Sequence, residues 1–173
     1  VHEGIDLCRR EGVDFILAVG GGSAIDSAKA IGYGVPYDGE VWDFYEKKAV
    51  AKDSVPVGVV LTLAATGSEM SDSSVITNED GWLKRGYSSN LGRPKFAIMN
   101  PELTYTLPEY QTMSGCADIM MHTMERYFSH EMNTELTDHL AEGLLKTVMH
   151  QAKILLKNPR DYEARSEVFW AGS

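Results

Sequence analysis

The sequence has few cysteines, no excess of positive charge and no long apolar run. Its two cysteines, Cys8 and Cys116, lie far apart and form no Cys-x-x-Cys motif, which excludes a disulfide framework and favours a cytoplasmic location. The formal net charge of -9 excludes a broad surface for nucleic acid or anionic membranes, because such partners need clustered lysine and arginine. The longest apolar stretch, residues 55–65, is interrupted by Pro56 and Gly58. We therefore predict no membrane span.

The composition, with 43% hydrophobic and 24% charged residues, is that of a globular protein. The length of 173 residues is enough for one domain, or for one domain and part of a second. In the first part of the chain, apolar strand-like runs alternate with helical patterns, which predicts an α/β fold. From Pro108 onward the apolar residues follow a helical pattern only. We place the boundary at Leu107, giving parts 1–107 and 108–173. The predicted strands, of which the first should be buried on both faces, are 15–19, 57–63, 73–77, 86–89 and 96–99; the helix 23–31 lies between the first two.

Turn and helix signals complete this outline. Residues 78–81 (NEDG) predict the turn of a hairpin. Residues 115–129 place apolar side chains around much of a helix, which predicts burial on several sides. A further helix follows Thr134, Pro159 ends it, and residues 162–170 predict the next helix.

A glycine-rich turn joins the first strand to the first long helix. Gly20, Gly21, Gly22 and Ser23 would leave backbone N–H groups free at the positive end of the helix, where a phosphate group binds well. Tight packing is the structural alternative for such a turn. Asp26 follows at the start of the helix, where a carboxylate also stabilises the helix dipole.

A second polar loop follows the second strand. It carries hydroxyl groups at Thr62, Thr66 and Ser68, at the end of a strand where open α/β sheets bind nucleotides. Turn formation and helix capping explain the same residues equally well.

A carboxylate and an imidazole are four residues apart in the apolar helix. Asp118 and His122 would share one face of that helix and suit Fe(II) or Zn(II) as ligands. The alternative is an ordinary hydrogen bond between the two side chains. His130, His139 and His150 form no coherent ligand set and are expected to be exposed.

Three motifs occur in an order that resembles the iron-containing (group III) alcohol dehydrogenases, in particular the butanol dehydrogenase branch with its NADPH-dependent aldehyde reductases. They are GGGSAIDSAKAIG, ATGSEMSDSSVITNE and NPELTYTLPEYQTMSGCADIMMHTMERYFS. The resemblance covers nearly the whole chain. It implies a Rossmann-like, dehydroquinate synthase-like α/β part, the end of a dinucleotide-binding domain, followed by the first helices of an all-α metal-binding domain.

The resemblance also implies roles for single residues. Asp118 and His122 match metal ligands, for Fe(II) or alternatively Zn(II), and Asp26 matches an acid near the cofactor and substrate, a candidate catalytic residue. The residues implied to contact NADP or NAD are Gly20, Gly21, Gly22, Ser23, Asp26, Thr62, Thr66, Lys84, Leu103 and Leu107. The second loop departs from the common family pattern at Leu63 and Ala65, as it does in the butanol dehydrogenase branch.

The activity implied is hydride transfer between NAD(P)H and a small aldehyde or primary alcohol such as butanal or butanol. Two further histidine ligands of the family are absent, so we expect a central portion of a longer protein, inactive by itself and forming a homo-oligomer when complete. Two alternatives stay open. One is a dehydroquinate synthase-like or glycerol dehydrogenase-like enzyme of the same fold, and the other is a non-catalytic nucleotide-binding piece.

Overall fold

The computed structural model describes residues 1–173, and their contacts divide the chain into two units. The first unit contains residues 1–61 and 68–98, and the second contains residues 62–67 and 99–173. Residues 62–67 and 99–107 lie within the predicted α/β part, 1–107, but their contacts assign them to the second, helical unit.

The first unit alternates helices and strands, as predicted. The first helix is followed directly by Gly12, whose φ of 63° is the left-handed conformation that glycine adopts without strain. The elements are α1 (His2–Glu11), β1 (Ile16–Gly20), α2 (Gly22–Gly34), α3 (Trp42–Tyr45), β2 (Val57–Leu61), β3 (Ser73–Asn78), β4 (Leu83–Ser88), a 3-10 turn (Asn90–Gly92) and β5 (Ala97–Ile98).

Three of the strands form a parallel sheet in the order β1-β2-β5. The register pairs Gly20, the last residue of β1, with Leu61, the last residue of β2. The glycine turn and the segment after β2 therefore leave the sheet at the same edge. Strands β3 and β4 pair antiparallel with Asn78 opposite Leu83, which confirms the predicted hairpin.

Helix α2 covers one face of the sheet and carries much of the core of this unit. Tyr33 and Ala30 of α2 pack with Ile5 of α1 and with Phe44 and Tyr45 of α3. The prediction that β1 is buried on both faces is wrong for this chain. Leu17 and Val19 are more than half exposed while Ala18 is buried, because within this chain only the α2 side of the strand is covered.

The second unit is helical. It contains a 3-10 turn (Pro101–Thr104), α4 (Glu109–Tyr127), α5 (Glu135–Leu155) and α6 (Tyr162–Gly172). The buried face of α4 includes Cys116 and Ile119, whereas Met121 and Phe128 are largely exposed. The prediction of burial on several sides is therefore wrong, because the segments that pack against α4, among them α5 and α6, leave these side chains uncovered. None of the helices combines the length and the apolar character that crossing a bilayer requires.

Candidate functional site

The glycine turn connects the end of β1 to the start of α2. Gly21 precedes the helix with φ -94° and ψ -166°, and no side chain caps the helix at this end. The N–H groups of Ala24 and Ile25 both donate to the Gly21 carbonyl, each at 3.1 Å. The earlier N–H groups of a helix have no acceptor within it, so those of Gly22 and Ser23 are suited to a phosphate oxygen.

Gly20 is required by close packing within this turn. A Cβ atom at position 20 would lie 2.6 Å from the Cβ of Ala24. The packing explanation thus holds for Gly20, and phosphate binding fits the amides of the next residues. Phosphate binding by Gly21, Gly22 and Ser23 stays a prediction.

Asp26 lies in the second turn of α2 and joins the helix to the segment that follows β2. Its Oδ1 accepts a hydrogen bond from Ser68 Oγ at 2.5 Å, and its Oδ2 accepts one from the Val75 N–H at 3.0 Å. Ser74 Oγ donates to its backbone carbonyl at 2.8 Å. Both carboxylate oxygens are therefore engaged within the chain, and the catalytic role of Asp26 stays a prediction.

Lys29 is a residue of this region that sequence reasoning missed. Its side chain is fully buried, and Nζ donates to the carbonyl oxygens of Ser68 (2.7 Å), Ser71 (2.9 Å) and Ser73 (2.8 Å). Nζ also lies 3.1 Å from Ser68 Oγ. The available signal was a lysine within an otherwise apolar helical segment, three residues after Asp26.

Burial has the largest influence on the pKa of the Lys29 ammonium group. Burial lowers this pKa and Arg93 adds to that shift, whereas the carboxylates of Asp26, Asp72 and Glu69 raise the pKa, and the net result is a pKa of about 8. The group is thus predominantly charged at neutral pH. A buried charge is tolerated when hydrogen bonds satisfy it, as the three carbonyl groups do here.

The other residues implied to contact the cofactor are distributed over both units. Lys84 is exposed on β4 of the first unit. In the second unit Thr66 is exposed, Thr62 is partly buried and Leu103 is 42% exposed. Leu107 lines a cavity of about 20 Å³ in that unit.

Asp118 and His122 lie one turn apart on α4. Asp118 Oδ2 is 3.7 Å from His122 Nε2, and both side chains are a little under half exposed. The other ring nitrogen, Nδ1, lies 4.0 Å from Glu125 Oε2. A carboxylate and an imidazole this close on one face fit a divalent metal such as Fe(II) or Zn(II).

The structure places no further metal-ligating side chain beside these two residues to complete a set of three. The chain contains no group of three or more His, Cys, Asp or Glu side chains that could hold a metal ion. His130, His139 and His150 are exposed, as predicted.

Comparison with known protein families decides the family. Residues 1–101 match the model of the iron-containing alcohol dehydrogenases. Residues 112–173 match the C-terminal model of the Fe-containing alcohol dehydrogenase family. The chain belongs to the iron-containing alcohol dehydrogenase family. The resemblance predicted from three short motifs is confirmed over almost the whole chain.

Individual relatives of this iron-containing alcohol dehydrogenase chain include enzymes named for either nicotinamide cofactor. The chain is 49% identical over all its 173 residues to a probable NADH-dependent butanol dehydrogenase of Bacillus subtilis. It is 36% identical over 98% of its length to an NADPH-dependent aldehyde reductase of Escherichia coli. The chain spans 44% of the length of each relative.

A solved structure confirms the fold class. The NADH-dependent butanol dehydrogenase A of Thermotoga maritima superimposes with a TM-score of 0.96 at 40% identity, and the match covers 99% of this chain and 43% of that protein. The predicted α/β part followed by helices is therefore the fold of this family.

Proposed function

We propose that the protein containing this chain is a metal-dependent oxidoreductase that transfers a hydride between NAD(P)H and a small aldehyde or primary alcohol, with butanal and butanol as representative substrates. The observation that carries the proposal is the Asp118 and His122 pair, which offers two metal ligands on one helix face in a chain of the iron-containing alcohol dehydrogenase family. The names of the relatives support the substrate class and the use of NADH or NADPH.

The chain's residues would act by binding and orienting the reactants. The amides of Gly21, Gly22 and Ser23 would hold the cofactor pyrophosphate at the amino-terminus of α2. Thr62, Thr66, Lys84, Leu103 and Leu107 are proposed as further cofactor contacts. Asp26 is proposed to act near the cofactor and substrate while holding Ser68 and Val75 in place.

The absent groups would supply the chemistry itself. Asp118 and His122 would hold part of the coordination shell of a divalent metal, which would supply polarisation of the aldehyde carbonyl group, and the nicotinamide would supply the hydride. Residues 1–173 alone would supply only two metal ligands, so we expect them to have little or no activity. We propose a homo-oligomer in the cytoplasm as the working form.

The test is a comparison of the full-length protein with residues 1–173, each purified and verified by mass spectrometry. We expect the full-length protein, loaded with Fe(II) or Zn(II), to oxidise NADH or NADPH when butanal is added, and the shorter protein to do so weakly or not at all. An ordinary enzymatic rate from residues 1–173 would contradict the role given to the missing ligands.

Two further arms of this test separate the alternatives. Turnover of glycerol, or lyase products, in place of butanal reduction would favour a polyol dehydrogenase or a dehydroquinate synthase-like enzyme. Calorimetric titration that shows nucleotide binding without any heat from Fe(II) or Zn(II) would favour a non-catalytic nucleotide-binding protein.

A further inference from the structure

The ammonium group of Lys29 connects α2 to the backbone of residues 68–73. These residues directly follow the hydroxyl loop, which consists of residues 62–67 and carries Thr62 and Thr66. The ammonium group donates to three carbonyl oxygens within Ser68–Ser73 at distances of 2.7 to 2.9 Å. An ammonium group has three N–H donors, and Nζ lies within hydrogen-bond distance of four acceptors, these three carbonyl oxygens and Ser68 Oγ, so each donor has an acceptor.

Asp26 extends the same connection one turn toward the amino-terminus of α2. Its carboxylate accepts from Ser68 Oγ and from the Val75 N–H, and Ser68 Oγ also contacts Lys29 Nζ. Residues 68–75 are thereby fixed to the first turns of the helix that begins at the glycine turn. Ser68 directly follows Thr66 and Gly67, where the hydroxyl loop ends.

We propose that Lys29 is a positioning residue for the nicotinamide cofactor, which it does not touch: it holds residues 68–73 on α2, so that the glycine turn and the chain leading from the hydroxyl loop keep one fixed arrangement. The inference rests on the proposed function, because it assigns the cofactor to the amino-terminus of α2. It adds a residue that the proposed cofactor contacts do not include.

A methionine at position 29 keeps the length of the side chain but loses the donors. In Lys29→Met, the carbonyl groups of Ser68, Ser71 and Ser73 lose their shared partner, and the segment becomes mobile. Displacements of this kind change coupling between sites by factors of about 2 to 30. We therefore expect the Kd and the KM for NADH or NADPH to rise about tenfold, with kcat changed less than threefold.

The experiment uses the full-length, metal-loaded protein at a temperature well below the melting temperature of every variant. Cofactor Kd, KM and kcat are measured for the wild type, for Lys29→Met and for the control Lys52→Met, which removes an exposed lysine of the same unit. Hydrogen exchange by mass spectrometry follows residues 68–75. We expect faster exchange there in Lys29→Met alone, and partial recovery of protection when the cofactor is added.

A second variant keeps the proposal testable should Lys29→Met fail to fold. Ser68→Ala removes one contact to Lys29 and one to Asp26 and leaves all three carbonyl contacts in place, so we expect a smaller rise in Kd, between twofold and fivefold.

Unchanged cofactor binding in folded Lys29→Met, or in Ser68→Ala where only that variant folds, would overturn the positioning role even if the melting temperature fell. A wild type that binds neither NADH nor NADPH would overturn the proposed function and this inference together. Wild-type binding with an unaffected variant would overturn this inference alone.

Discussion

Asp118 Oδ2 lies 3.7 Å from His122 Nε2 across one turn of α4, with both side chains open to solvent on the same helix face. The distance is longer than a hydrogen bond between these atoms. The two groups are therefore within ion-pair distance without a hydrogen bond, and a cation between them could contact both. The metal role of Asp118 and His122 stays a prediction.

Removing either ligand should lower the metal content of the full-length protein. We expect Asp118→Asn and His122→Gln each to weaken binding of Fe(II) or Zn(II) by at least tenfold, since even the loss of outer groups around a metal costs about 10- to 100-fold in affinity. Metal bound per protein after dialysis measures this, with circular dichroism to verify folding. The control is His139→Gln, an exposed histidine on α5, which should retain the metal. Equal metal content in all three variants would remove these residues from the site.

The close approach between α4 and the loop after β2 depends on a glycine. A Cβ atom at Gly115 would lie 2.3 Å from the carbonyl oxygen of Ala64, so Gly115→Ala forces a backbone shift. We expect a loss of about 1–3 kcal/mol in the free energy of unfolding. Gly143→Ala is the matched control, because position 143 lies inside α5 with no atom within 4 Å. That change should stabilise by about 0.5–1 kcal/mol, and urea denaturation distinguishes the two signs.

The sequence predicted most of the elements because their signals are local. Apolar runs marked β1 and β2, the NEDG turn marked the hairpin, and Pro159 marked the end of the second long helix. Burial was predicted less well. Leu17 and Val19 belong to a strand of the expected composition, but their exposure depends on which other segments cover that face, and local periodicity carries no such information.

The candidate site divides in the same way. The glycine turn and the pair of Asp118 and His122 follow from spacing along one helix or one turn. Lys29 was missed because its partners, Ser68, Ser71 and Ser73, lie about 40 residues away in sequence and contact it through backbone carbonyls. Every residue has a backbone carbonyl group, so the residue types at these positions do not indicate that they accept hydrogen bonds from Lys29.

The carboxylate of Asp26 should contribute to stability as well as to any role near the cofactor. An asparagine at position 26 must direct its amide NH2 at one of two groups. One is Ser68 Oγ, which already accepts a hydrogen bond from Lys29 Nζ. The other is the Val75 N–H, which is itself a donor. Leaving a donor without an acceptor costs about 1–3 kcal/mol. We expect Asp26→Asn to lower the free energy of unfolding by this amount in urea denaturation. Asp38→Asn, at an exposed position, should change it little, and equal values for the two variants would contradict the contacts described here.

The buried ammonium group of Lys29 predicts a pH dependence of stability with a definite sign. Burial lowers the pKa of Lys29 to about 8 in the folded chain, from 10.5 when it is exposed, with Asp26, Asp72 and Glu69 opposing the shift and Arg93 adding to it. As the pH rises from 8 to 10.5, the folded chain has released this proton while the unfolded chain still binds it. The free energy of unfolding therefore gains up to about 1.4 kcal/mol per pH unit from this group within that window.

Comparison with Lys29→Met isolates this contribution, because methionine does not titrate and all other groups are shared. The difference in unfolding free energy, wild type minus Lys29→Met, should be constant at neutral pH and should increase in favour of the wild type as the pH rises above about 8. Urea denaturation at a series of pH values measures it, with Lys52→Met as the control whose difference from the wild type stays flat. If this difference in unfolding free energy stays flat or falls as the pH rises, the folded chain does not lower the pKa of Lys29. The hydrogen bonds from its ammonium group to the three carbonyl groups would then outweigh the cost of burial.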